Sequence, residues 1–253
     1  MIDYEVRGHV AVLTINRPEA RNAVNAEVAS GIEAALDRLE ADDDIWVSIL
    51  AGNGPVFCAG ADLKAIASGN AGGLNTKRGG FAGVVSRPRT KPLIAAVDGP
   101  ALAGGTEIVL ACDLVVASTA ARFGVPEVKR SLVAAGGALF RLSQKLPENV
   151  AAELLLTGDP LTVERAHELG LVNVMCEPGT ALESAMALAE RVATNAPLAV
   201  RESLAVMRTT RGADDATGFR LSSEAFARLA ATEDYAEGPL AFIEKREPQW
   251  KGR

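Results

Sequence analysis

Three short segments of this 253-residue chain place glycines, small residues and carboxylates where chemistry can use them. The first is Ala103-Gly104-Gly105-Thr106-Glu107-Ile108-Val109-Leu110. A glycine pair that follows a buried strand and opens an apolar helix leaves unpaired N–H groups at the helix N-terminus. Such groups stabilise a negative charge developing beside them, which is the requirement of an oxyanion hole. Glu107 falls in the first turn, where an acid is ordinarily a surface partner of the helix dipole. Here Ile108, Val109, Leu110, Ala111 and Cys112 read as buried nearly all round, and a carboxylate opening such a helix costs desolvation energy unless it has a task.

The second segment is Phe57-Cys58-Ala59-Gly60-Ala61-Asp62-Leu63-Lys64. Small residues directly after a strand let main-chain N–H groups approach another molecule, and Asp62 is suited to cap a following helix. A tight strand-to-helix turn needs the same residues, so by itself this segment reads equally as structure. The third is Ala121-Arg122-Phe123-Gly124-Val125-Pro126-Glu127. Pro126 fixes the backbone before Glu127, yet a Pro-Glu pair is also an ordinary helix start.

The elements that must carry these segments follow from hydrophobic patterning. Val10–Ile15 is β-rich and ends in Asn16-Arg17-Pro18, a turn former. A helix is predicted from about Ala26 to Glu40, then buried strands over Trp46–Leu50 and Lys91–Val97. This β, α, β rhythm belongs to a parallel or mixed sheet with crossover helices. Between them Ser68–Thr76 is glycine-rich, followed by Lys77 and Arg78, and its length suits a mobile wall or cover of a binding site. Short helices are predicted over Leu154–Gly158 and Thr162–Gly170, then longer ones over Ala181–Asn195 and from Leu198 to about Ala231. The plainest division is an α/β core over 1–195 and a helical piece over 196–253, whose apolar faces have no sheet to cover and are expected to pack on other subunits.

Composition narrows the function classes. Asp and Glu number 32 against 26 Lys and Arg, a net charge of −6, so nucleic acid and anionic membrane surfaces are poor partners. No apolar run approaches the ~20 residues of a membrane span, and the acidic N-terminus has no signal-peptide pattern. Cys58, Cys112 and Cys176 show neither metal spacing nor a disulfide framework, which fits a reducing cytoplasm and small buried thiols.

Taken together and in order, the segments resemble the signature regions of the enoyl-CoA hydratase/isomerase, or crotonase, superfamily. Asn16-Arg17-Pro18-Glu19-Ala20-Arg21-Asn22-Ala23 is similar to its N-terminal motif, Phe57–Lys64 to its first oxyanion segment and Lys91–Asp113 to its second. Leu156–Asp159 with Leu169–Val172, and Glu237-Gly238 with Ala241–Arg246, extend the resemblance over nearly the whole chain. It implies an α/β fold, a spiral of ββα turns with a helical C-terminal region, assembled as a homotrimer or a dimer of trimers. It implies an oxyanion hole made by the amides of Ala61 and Gly104, each worth roughly 3–4 kcal/mol toward an enolate. Glu107 and Glu127, twenty residues apart as in the hydratase branch, become the acid–base pair: Glu127 the proton donor to the α-carbon, Glu107 the holder of water. Arg21 and the backbone of Ala61-Asp62-Leu63-Lys64 would lie by the nucleotide and pantetheine portion of CoA, and Phe242 with Lys245 would reach the nucleotide from a neighbouring subunit.

The implied activity is reversible syn addition of water to a trans-2-enoyl-CoA. The CoA ester is the substrate, and no metal or separate cofactor is called for. An isomerase needs essentially one carboxylate, so two favour hydration; a dehydratase runs the same chemistry backwards. A non-catalytic acyl-CoA-binding protein is the alternative from another class. Two departures stand out: Ala103 occupies a position commonly glycine, and Ser131–Phe140 replaces a proline- and glycine-rich stretch that shapes the acyl pocket. His9 and His167 match no motif, and Asp113 is expected to make hydrogen bonds and no chemistry.

Overall fold

In the computed structural model, which describes residues 1–69 and 71–253, alternating side chains bury a central sheet on both faces. Val10, Val12, Val47, Ile49, Ile94 and Ala96 turn one way, and Ala11, Leu13, Leu50, Leu93 and Ala95 the other. Along the chain the elements are β1 (Ile2–Arg7), β2 (Val10–Ile15), α1 (Ala26–Ala41), β3 (Val47–Gly52), α2 (Leu63–Ala67), β4 (Asn75–Thr76), β5 (Gly80–Phe81), β6 (Leu93–Val97), β7 (Ala101–Leu102), α3 (Gly104–Ala111), β8 (Leu114–Ser118) and β9 (Arg122–Gly124). There follow α4 (Ala138–Lys145), α5 (Glu148–Thr157), β10 (Leu161–Thr162), α6 (Val163–Glu168), β11 (Val174–Cys176), α7 (Ala181–Ala193), α8 (Pro197–Thr209), α9 (Asp215–Ala230) and α10 (Glu233–Glu244).

The main sheet runs β1-β2-β3-β6-β8-β11, antiparallel only at the β1–β2 hairpin. Its parallel strands place crossover turns at one end. A second small sheet, β10-β9-β7, sits beyond that end, with β7 parallel to β9. The helix α7 covers one face through Ala185, Met186 and Ala189. On the other face α1 contributes Val28, Ile32, Leu36 and Leu39, and α3 contributes Ile108, Val109 and Leu110.

Several sequence boundaries shift for identifiable reasons. The charged N-terminus forms strand β1, with Asp3, Glu5 and Arg7 exposed on an edge, where polar residues hide the strand signal. Lys91 does not begin β6: its buried ammonium donates to the carbonyls of Leu39 and Asp42 at 2.5 Å each, closing the C-terminal end of α1. The single long helix predicted after Pro197 is two helices, because Gly212 adopts φ +74 and Asp214 caps α9 by accepting the Thr217 N–H at 2.8 Å. A further helix, α10, follows. The glycine-rich stretch holds a 3-10 turn over Ala71–Leu74 with Leu74 buried; its Asn70 lies outside the described residues. Arg78, bonded to Glu33 at 3.1 Å and to Asp37, ties the chain after it to α1.

Candidate active site

The second chemical segment meets the first through glycine contacts, and the third meets it through hydrogen bonds to Gly124. A Cβ on Gly60 would stand 2.8 Å from the Ala103 Cβ and 3.0 Å from the Gly104 nitrogen, and one on Gly105 would fall 2.1 Å from the Cys58 carbonyl oxygen. Glycine is therefore required for the two backbones to touch. A parallel bridge pairs Cys58 with Ala101, and the Leu102 N–H donates to the Cys58 carbonyl at 3.0 Å.

This packing brings Ala61 and Gly104 to the wall of one cavity. Val24 bridges Ala61 by donating to the Gly60 carbonyl (2.8 Å) and accepting the Asp62 N–H (2.9 Å), which turns the N–H of Ala61 itself away from Val24. Gly104 begins α3, so its N–H has no carbonyl a turn earlier to bond. Its neighbours are engaged: the Ala103 N–H bonds Gly124 at 2.8 Å, and the Thr106 N–H bonds Ala103 at 2.9 Å. Ala61 and Gly104 both line a cavity of about 750 Å³.

Glu107 and Glu127 line that cavity too. Thr106 sets their relation. Its hydroxyl accepts the Gly124 N–H at 3.0 Å and lies within hydrogen-bond reach of the Ala101 carbonyl (2.7 Å) and the Gly124 carbonyl (2.9 Å). The helix carrying Glu107 is thereby pinned to the strand leading to Glu127. Glu127 sits in a 3-10 turn over Pro126–Arg130, not in an α-helix, and Pro126 is at its start.

Glu107 is only 4% exposed. Its Oε1 accepts the Ala138 N–H at 3.2 Å, and Gly136 packs so closely that a Cβ there would be 2.4 Å from Oε2. Burial holds its carboxyl above the ordinary range; the Ala138 N–H opposes this, and the charge of Glu127 adds to it. Burial likewise raises Glu127, against the pull of Arg130. The Oε2 atom of Glu127 is buried and bonded to no group among the described residues. Two acids that both resist ionisation, in one cavity, can hold a proton between them and pass it to a ligand.

The other residues singled out from sequence divide. Arg21, Ala61 and Leu63 line the cavity. The side chain of Asp62 does not join them: it pairs with Arg17 at 2.6 Å and caps α2 by accepting the Lys64 N–H at 2.9 Å. Lys64 lies on exposed α2, and Phe242 (85% exposed) and Lys245 lie on and just after α10, all off this cavity's lining. His9 stacks on Trp46 and His167 bonds the Val172 carbonyl, and Asp113 binds Arg208 at 2.6 Å, all structural parts. Cys58 and Cys112 are buried, their thiols pushed up to about 12 by burial, whereas Cys176 is only partly covered.

Residues not foreseen complete the cavity: Phe81 of β5, Val85, and Arg141 of α4. Phe81 lies against Gly104, where a Cβ would be 2.4 Å from its ring. Arg141 donates to the carbonyls of Val85 (2.6 Å) and Gly136 (3.3 Å). Asn75 puts the glycine-rich stretch on the cavity wall, as its length suggested, and Leu132, Val133 and Phe140 put the divergent stretch there. A glycine pair can announce close backbone approach, but nothing local in sequence announces which aromatic ring will fill the space.

The sequence model of the family described as enoyl-CoA hydratase/isomerase matches residues 5–253. An enoyl-CoA hydratase of Mycobacterium tuberculosis, EchA19, is 42% identical over 98% of this chain and 96% of that protein. A carnitinyl-CoA dehydratase of Proteus mirabilis is 37% identical over 98% of this chain and 97% of its own length. The crystal structure of an enoyl-CoA hydratase from M. tuberculosis H37Rv superposes with a TM-score of 0.96 at 50% identity, covering 100% of this chain and 99% of that one.

Proposed function

Because the chain belongs to the enoyl-CoA hydratase/isomerase family, we propose that it is an enoyl-CoA hydratase, adding water reversibly and syn across the double bond of a trans-2-enoyl-CoA to give the 3-hydroxyacyl-CoA. The observation that supports this reading is the pair of carboxyls, Glu107 and Glu127, both held above their ordinary range by burial, in the cavity that Ala61 and Gly104 also line.

In the proposed reaction the thioester oxygen accepts hydrogen bonds from Ala61 N–H and Gly104 N–H. Electron density drawn onto that oxygen makes the β-carbon electrophilic and stabilises the enolate. Ionised Glu107, held in place by the Ala138 N–H, accepts a proton from water as the water oxygen bonds to the β-carbon. Glu127 in its acid form delivers a proton to the α-carbon, and the enolate electrons return to form the new C–H bond. Net, one water is added; the proton taken up by Glu107 then passes to Glu127, which restores the starting state of the pair. The reverse sequence is dehydration, the activity named for the Proteus relative. This chemistry calls for no metal or cofactor, and CoA enters as part of the substrate.

Arg21 and Leu63, at the cavity wall beside Ala61, are proposed to contact the CoA portion, with Lys64 near its phosphates. The reading extends to a cytoplasmic homotrimer or dimer of trimers, in which residues 196–253 pair subunits and Phe242 and Lys245 reach a neighbour's CoA. Among the described residues no helix is long and apolar enough to cross a membrane.

The test is the absorbance of the conjugated enoyl thioester on mixing with the protein. We expect loss of that band with the wild type. With Glu127→Gln the rate should fall by about 10²–10⁴ while the thioester still binds. Binding without any spectral loss by the wild type would leave a non-catalytic acyl-CoA-binding protein; full turnover by Glu127→Gln would remove the proton-donor role.

A further inference from the structure

A second cavity, of about 400 Å³, meets the first at Arg141, and it is lined by Arg87, Arg89, Arg141, Arg208 and Arg211 with a single carboxylate, Asp113. So many cations are unexpected in a chain of net charge −6. Ion pairing accounts for only part of them. Asp113 is spent on Arg208, at 2.6 and 2.7 Å, and on the Leu93 N–H at 2.9 Å. Arg87 is taken by Asp37.

Arg89 is the decisive residue. Its side chain is 6% exposed, and Asp113 stands 3.7 Å away, beyond a good hydrogen bond. Its Nη2 donates to the Ala111 carbonyl at 2.7 Å, yet Nε and Nη1 have no partner among the described residues. A buried guanidinium with unmet donors is costly unless an anion meets it. The neighbours aggravate the cost, since Arg141 is held below its ordinary range by burial and then by Arg89 and Arg211. Arg211 reaches the rim, exposed and bonded to Gln144 at 3.0 Å.

We propose that this arginine-lined cavity binds a small oxyanion, at a site distinct from the thioester site and separated from it by Arg141. The planar guanidinium forks suit the oxygens of a phosphate or carboxylate group. Its occupant would complete the donors of Arg89 and offset the repulsion among the cations. The wall is shared, because Val85, Ser86 and Arg141 line both cavities. Arg141 in turn holds the Gly136 carbonyl, next to Glu107.

The test uses inorganic phosphate as probe on the full chain, with ionic strength held constant by chloride. Calorimetry and thermal melting should show a saturable effect of phosphate that chloride does not produce. Arg211→Gln, at an exposed side chain, should weaken phosphate by about tenfold or more. Arg89→Gln should abolish the effect; as it alters a buried cation and risks the fold, Arg211→Gln decides. Arg21→Gln separates this cavity from the CoA region and should leave phosphate binding intact. The proposal is overturned by phosphate acting no differently from chloride, by unchanged affinity in Arg211→Gln, or by loss of binding in Arg21→Gln with Arg211→Gln unaffected.

Discussion

At the residue scale, Glu107 shows how burying one carboxyl works against stability. Burial raises its pKa above the ordinary 4.5, so the unfolded chain gives up this proton more readily than the folded one. The sign follows: below 4.5 both states are protonated and nothing is lost, and as pH rises through the raised folded value the ionised form destabilises the protein. Glu107→Gln keeps an oxygen for the Ala138 N–H and removes the charge. Urea unfolding should find it more stable than wild type at about pH 8 by about 1 kcal/mol or more, the difference vanishing toward about pH 4. A variant no more stable at the higher pH would mean that the carboxylate is well solvated. Turnover by the same variant should be lost.

Elements place these groups by backbone contact. Ala103, the cap residue of α3, sits at φ +52 and ψ −126, a region that a Cβ strongly disfavours. Ala103→Gly should therefore stabilise the fold by about 1 kcal/mol in chemical denaturation, and an unchanged midpoint would show that no strain resides there. Gly105 is the opposite case. Gly105→Ala forces a methyl onto the Cys58 carbonyl, at 2.1 Å before any shift, and pushes the two amide-bearing segments apart. We expect a loss of about 1–3 kcal/mol and a fall in turnover larger than the fall in stability predicts. Normal kinetics in a folded Gly105→Ala protein would show that spacing at this contact does not matter to the thioester. How far this was legible in sequence is instructive. The small residues around Gly60 suit close approach of main-chain N–H groups, the Gly104-Gly105 pair marks unpaired N–H groups at a helix start, and Asp62 suits a cap. The strain at Ala103 was visible only as an unusual residue, because strain belongs to dihedral angles that other elements impose.

For the whole molecule, the C-terminal helices leave Phe219, Phe226, Phe242 and Ile243 exposed, Phe242 by 85% and Ile243 by 75%. Large apolar residues in such number mark a surface for another protein. Under the proposed assembly, Phe242→Asp should shift the mass measured by light scattering from that of the trimer or hexamer toward that of one chain. It should also raise the KM for the enoyl thioester if Phe242 reaches a neighbour's CoA. A wild-type protein that already sedimented as a single chain would refute the assembly.

The sequence alone made most of the core elements legible and, through the family resemblance, pointed to the proposed reacting groups. Strands buried on both faces must read as near-continuous Val, Ile, Ala and Leu, and amphipathic helices show an apolar face at helical spacing, so β2, β3, β6, α1 and α7 could be read locally. The ordered motifs likewise singled out Glu107, Glu127, Ala61 and Gly104. Only the tertiary structure decided that Thr106 pins one glutamate to the other's strand, that Gly136 and Ala138 clasp Glu107, and that Phe81 and Arg141 close the cavity. It also turned Asp62 from the cavity toward Arg17. The reason is physical. Backbone propensity acts over a few residues, whereas desolvation and hydrogen-bond partnership depend on groups dozens of residues apart that meet only when the sheet, its crossovers and the glycine contacts are all in place.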